Sequence, residues 1–270
     1  MIVGALLLVL IGSADFVRAA RRPATRRAPS VAVIALVWAA AVLLASTGLG
    51  LAWWWSLAAV ALALLWLWST SANPDARATT GVLPAVGVLV ALLAALLGGA
   101  GGEAAGYLVT WHDGVAVARI RDLPIGTLAL ALGVVLFLVE SANIVVRAAL
   151  RPAVEESAAA TAVAAAVTPT PVRARWWRRP QPVPVPAAVA DLRGGRLIGP
   201  LERLLIVALT LAGALPIVAG VLAAKGIVRF PEISTDGARG SKAEYFLVGS
   251  LVSWSIAIVA TGALWISAQG

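Results

Sequence analysis

Five charged residues stand at the edges of apolar runs in the last third of the chain: Glu202, Arg203, Lys225, Arg229 and Glu244, with Tyr245 beside the last. In such a setting lysine acts as a point charge and arginine as a two-pronged donor to carboxylate or phosphate. Two roles fit the set. One is ion pairing that closes helices onto one another; the other is a polar site for an anion, a lipid headgroup or a protein partner. A sixth charge, Glu140, lies inside an apolar run with Ser141 and Asn143 just after it. Inserting a carboxylate at membrane depth costs roughly 2.5–3.5 kcal/mol, which makes Glu140 a functional candidate by itself. It also stands about two helical turns from Arg147, within reach of an interface, and Asn143 and Ser141 can bond to a neighbouring helix instead. His112 and Asp113 are adjacent, but Asp113–Gly114 reads as a turn in which aspartate bonds to its own backbone.

Other chemistry is excluded by what the chain lacks. It has no cysteine and one histidine, so thiolate nucleophiles, disulfides and His-rich metal sites are out. No nucleophile–base spacing, glycine-rich nucleotide loop or metal-ligand cluster occurs. The expectation is a protein that is not an enzyme and has neither a cofactor nor a metal.

The elements that must position these residues are apolar helices. With 61% hydrophobic and 13% charged residues and a mean hydropathy of +0.94, the chain lies far from the soluble norm. Its apolar runs approach or reach the ~20 residues needed to cross a bilayer. The expected fold is all-α: a polytopic helical membrane protein of about six full spans plus a short helical hairpin (or seven spans). The net charge of +8 belongs with the membrane, since many of the arginines cluster in loops beside apolar runs, and nucleic acid is not an expected partner.

Residues 1–151 form an N-terminal five-span region. The first span, Met1 to Val17, is followed by Arg18, Arg21, Arg22, Arg26 and Arg27, which places the N-terminus outside and these arginines in the cytoplasm. Spans follow over 31–47, 51–68, 81–97 and 125–146. Trp53, Trp54 and Trp55 at one end of the third and Trp66 and Trp68 at the other read as aromatic belts. Residues 107–111 and 115–120 are β-prone and flank Asp113–Gly114, so a short outer β-hairpin or a folded loop is expected.

Residues 152–195 are a cytoplasmic linker rich in alanine, proline and arginine. Within it Arg175, Trp176, Trp177, Arg178 and Arg179 suit a lipid interface, with rings entering the headgroup zone and guanidinium groups meeting anionic lipid. Residues 196–270 hold the hairpin and the last span. Pro200 can open a helix, Ala212–Gly213–Ala214 can break it, and Pro216 can start a second limb. A single crossing would put Lys225, Arg229, Arg239 and Lys242 outside; a hairpin returns them to the cytoplasm, which the charge bias favours. Such a hairpin should pack inside the bundle, because its tip needs cover from other helices. Gly249, Ser253, Ala257 and Thr261 make a small-residue stripe on the last span, facing a limb such as that of Ala219 and Ala223 or Gly220 and Ala224.

The pattern LIGPLERLLI, then AAKGIVRFPEI, then KAEYFLVGSL resembles the C-terminal region of a bacterial integral-membrane family of unassigned function. The resemblance covers about 65 residues, from Gly195 to near Ala260. It implies no activity, substrate or cofactor. It singles out Glu202, Arg203, Lys225, Arg229, Phe230, Glu244 and Tyr245, with Gly226 and Pro231 where bulkier or more polar residues would be expected. The functional expectation is a multi-pass protein of the bacterial cell membrane, a non-catalytic scaffold or regulatory protein with a charged cytoplasmic-face site. A small secondary transporter or proton- or ion-coupled carrier is the alternative. The bilayer and anionic headgroups are the expected partners, with a second membrane protein or a further copy of the chain besides.

Overall fold

The computed structural model describes residues 1–20, 28–70, 83–151, 195–234 and 241–269. Its regular elements are helices: α1 (Ile2–Ala20), α2 (Ala28–Leu43), α3 (Trp53–Ser69), α4 (Leu83–Leu97), the short α5 (Tyr107–Asp113) and α6 (Ala118–Arg121), α7 (Ile125–Arg151), α8 (Gly195–Leu211), α9 (Leu215–Ser234) and α10 (Ser241–Gln269). Among the described residues, four stretches are long and apolar enough to cross a membrane: Ile2–Ala20, Ser30–Gly48, Ile125–Arg151 and Ala243–Gln269. Helices α3 and α4 are equally apolar but shorter, at 17 and 15 residues. The linker and its Arg175–Arg179 patch lie outside the described residues.

Helix α1 is the centre of the bundle. It packs against α2, α3, α4 and α7, and its core residues Leu7, Leu10 and Ile11 are fully buried. An all-round apolar helix can occupy such a place only if its neighbours come close, and two glycines let α7 do so. A Cβ on Gly12 would sit 2.7 Å from the Leu136 carbonyl carbon, and one on Gly133 would sit 2.8 Å from Leu8 Cβ and 2.9 Å from the Ala5 carbonyl oxygen. Trp38 of α2 ties in by donating its indole N–H to the Leu10 carbonyl at 3.0 Å.

The expected outer β-hairpin is corrected by the structure. Residues Tyr107–Asp113 form a helical turn pair and Ala118–Arg121 a short helix, and no strand occurs among the described residues. A lone two-stranded hairpin is marginal without a sheet or helix to cover it. The turn it requires needs positive φ, whereas Gly114 has φ −82°. His112 is instead buried in the loop, its Nε2–H donated to the Ile120 carbonyl at 3.0 Å. Asp113 is exposed, 3.9 Å from the other ring nitrogen, so the two do not form a working pair.

Helices α8 and α9 fold back on one another at Ala212–Ala214. The Ala214 N–H reaches the Leu209 carbonyl, and Gly213 takes φ +73°, a left-handed conformation that glycine adopts without a Cβ penalty. Helix α10 runs antiparallel to α7, with Thr127 Oγ1 donating to the Ser267 carbonyl at 2.7 Å at one end and Gly249 facing Leu150 at the other.

Candidate functional site

One helical irregularity and one hairpin build the polar centre. Helix α7 is interrupted at Phe137–Ser141 by a single π-turn, in which the Ala142 N–H turns to the Phe137 carbonyl. In a regular helix that N–H would bond to Leu138. The π-turn therefore releases the Leu138 carbonyl inside the bundle, where an unpaired acceptor costs about 1–3 kcal/mol.

Arg203 of α8 occupies this carbonyl. It is 2% exposed and donates to Leu138 O through Nε at 3.1 Å and Nη2 at 2.9 Å. Nη2 also reaches Asn143 Oδ1 at 2.5 Å, and Nη1 reaches Ser253 Oγ on α10 at 3.3 Å. The Asn143 amide is itself oriented by donating to the Val139 carbonyl at 3.0 Å. A guanidinium has enough donors, fixed in one plane, to serve acceptors on two neighbouring helices at once. Glu140, within the π-turn, and Glu202 both act on its charge.

The neighbouring position points into the hairpin. Glu202 accepts from Lys225 Nζ of α9 at 2.6 and 2.9 Å, and from Trp254 Nε1 of α10 at 2.8 Å. Lys225 Nζ lies 5.6 Å from the centre of the Trp254 ring, near enough for a cation–π contact. Consecutive residues thus divide the work: Glu202 holds α8 to α9 and α10, and Arg203 holds α8 to α7 and α10. Leu138 is the middle residue of Ile125–Arg151, and Ser253 and Trp254 lie close to the middle of Ala243–Gln269.

Of the residues singled out from sequence, the structure brings together Glu202, Lys225, Arg203 and Asn143, with Glu140 close by. Glu244 and Tyr245 are exposed on the first turns of α10, more than two turns from Trp254, and the Arg229 backbone continues α9 beyond Lys225. The α10 stripe is buried at Ser253, Ala257 and Thr261, but it faces α7 and α8; Ala219, Gly220, Ala223 and Ala224 on α9 are exposed. The hairpin accordingly leans on the bundle through α8 instead of sitting within it. Its tip and second limb are open, with Leu211, Leu215, Ile217 and Ile227 all exposed.

A second buried centre was not anticipated from the sequence. Asp15 is fully buried in α1, ion-paired with Arg18, and accepts from Trp66 Nε1 of α3 at 2.9 Å. Arg18 continues to the Thr70 carbonyl and hydroxyl at 3.1 Å, closing the end of α3. Trp66 is 1% exposed and stacks at a tilt on Phe137 of the π-turn, 6.2 Å between ring centres. It is a core donor and not a belt residue, unlike Trp53, Trp54 and Trp68, which are exposed. The available signal was the i, i+3 spacing of Asp15 and Arg18 at the end of an apolar run.

Among the described residues, no group of histidines and acids is disposed to hold a metal. Comparison with protein-family models, curated proteins and solved structures finds no match to this chain.

Proposed function

We propose that this chain is a non-catalytic, multi-pass membrane protein of scaffold or regulatory type, with its C-terminal hairpin as the part that engages other components. The observation carrying this reading is how completely the fold uses the polar atoms of Glu202, Arg203 and Lys225. Glu202 is met by an ammonium and an indole N–H, and Arg203 by two carbonyl-type acceptors and a hydroxyl. A transport site exchanges partners with its cargo; a clamp does not. These charges clamp a hairpin whose second limb stays bare.

In this reading α1, α2, α3, α4, α7 and α10 cross a bacterial cell membrane. The hairpin enters from the cytoplasmic side and returns there, and the N-terminus lies outside. Each limb is ~25–30 Å long, and Glu202, Arg203 and Lys225 sit near mid-depth. Polar groups so deep are tolerated only when paired and hydrogen-bonded, as these are. The linker remains on the cytoplasmic side, where Arg175–Arg179 meets anionic headgroups.

The test compares Lys225→Met, Glu202→Gln and the double variant Glu202→Gln/Lys225→Met. A clamp predicts that each single variant loses folded, membrane-inserted protein and that the double variant recovers part of it, because the buried charge left unpaired in each single variant is gone. A carrier predicts normal folding with lost flux. Proteoliposome flux that is present in the native protein and abolished by Glu140→Gln would replace the scaffold reading with that of a proton-coupled carrier.

A further inference from the structure

A groove runs along the bundle between α4 and α10, and we propose that it is a binding site for a single hydrocarbon chain of a membrane lipid. It consists of two adjoining clefts of about 230 Å³ each, which share Leu93, Leu96, Val259 and Ala263. The deep cleft is floored by Phe137 and Leu138 of the π-turn, and Ser255 carries the sole hydroxyl among its lining residues. The second cleft continues past Gly262 to Ile266 and the Met1 end of α1. The groove exists because its two walls pack elsewhere: α4 on α1 and α3, and α10 on α7 and α8.

Three dimensions identify the occupant. The first is length. From Ser255 to Ile266 the groove follows α10 for ~16 Å, close to half of a ~30 Å hydrocarbon layer. The second is position. Along α10 its deep end lies at the middle of Ala243–Gln269 and its other end near Gln269, beside the Ile125 end of α7; on α7 the deep cleft runs from Val134 across the middle of the helix to Val145. It therefore spans one leaflet, the reach of one acyl chain. The third is girth. A helix is ~10–12 Å across and over this length displaces on the order of 1,000 Å³, several times either cleft. A single flexible chain fits where a helix does not. The rim is formed by Leu93 and Val259, 41% and 51% exposed, on the surface that the bilayer would cover, so a lipid tail enters sideways without leaving hydrocarbon. The proposal requires residence in a bilayer and is independent of the scaffold reading.

The native full chain in nanodiscs, doped with two phosphatidylglycerols that bear a diazirine at the acyl terminus, for the deep cleft, or near the headgroup end of the acyl chain, for the outer cleft, tests this. After irradiation and digestion, adducts should fall on residues 89–97 and 255–266 in several-fold excess over equally exposed positions of α2. Gly262→Leu should abolish the excess in the outer cleft; a Cβ there meets open space, so the variant keeps the fold. Ala263→Phe blocks both clefts. Ile258→Phe, on an exposed position outside the groove, should leave the excess intact. Even labelling of all exposed helices, meaning annular lipid only, overturns the proposal. So does an excess that survives both filling variants, or protein–protein adducts at these residues, which would make the occupant a second chain.

Discussion

Replacing Arg203 by methionine keeps the aliphatic stem and removes the guanidinium, and it should destabilise the protein by about 3 kcal/mol. The magnitude follows from the groups left behind. The Leu138 carbonyl and Asn143 Oδ1 lose their donors in a buried setting, at about 1–3 kcal/mol each. Ser253 costs little, because its hydroxyl can turn to a carbonyl of its own helix. Two effects offset part of the sum. The native state no longer desolvates a guanidinium. Helix α7 can also straighten, returning the Ala142 N–H to Leu138, though this rotates one half of the helix and disturbs the Phe137 contact with Trp66. At ~2–4 °C per kcal/mol the apparent Tm should fall by about 6–12 °C, read by tryptophan fluorescence during heating in detergent. Arg203→Lys should recover less than half of this, since one ammonium cannot serve both the carbonyl and the amide in the same plane. A cycle with Asn143→Ala should show a coupling of about 1–2 kcal/mol. If Arg203→Met melts with the native protein, or lysine restores it fully, the guanidinium is not what satisfies the π-turn.

Four further variants probe the rest of the bundle. Trp66→Phe keeps the ring against Phe137 but removes the donor to Asp15, and should cost about 1–3 kcal/mol by thermal melting; Asp15→Asn, which keeps an acceptor for Trp66 but breaks the buried ion pair with Arg18, should cost more. Gly133→Ala should destabilise by about 1–3 kcal/mol because its Cβ meets Leu8 Cβ and the Ala5 carbonyl, whereas Gly262→Ala, in open space, should be neutral or slightly stabilising; equal melting of these two variants would show that α1 and α7 do not approach as described.

The helical class and the hairpin were legible because each rests on local signals. Apolar run length marks spans, and Gly213 between two short runs marks a reversal that the Glu202–Lys225 pair closes. The partners of Arg203 were not legible, because its chief acceptor is a main-chain carbonyl freed by a helical defect. Nothing in the letters around Leu138 distinguishes a π-turn from a regular helix. Trp66 illustrates a different failure. At the end of an apolar run it has the composition of an interfacial anchor, and only the approach of Asp15 from α1 makes it a core residue. The loop 107–121 failed through context: β-prone residues without a sheet to join formed short helices and a buried histidine contact.

The π-turn and the hairpin stand in a mutual relation that bears on how the protein assembles. Alone, the π-turn leaves Leu138 unpaired; alone, α8 carries a guanidinium with no acceptors in an apolar setting. Each defect is the other's remedy, at a contact between segments 65 residues apart in sequence. The Arg203–Leu138 contact therefore favours this seating of the hairpin on α7, since a shift of one residue takes the guanidinium away from the carbonyl that the π-turn frees. Glu202 uses the same registration, because its position next to Arg203 is what aims it at Lys225 and Trp254. Charges in this place add specificity more than strength: apolar replacements of equal volume could pack as well, but would not select one seating of the hairpin against α7 and α10. That selection fixes which limb faces the bundle and leaves α9 bare, the arrangement from which the scaffold reading starts.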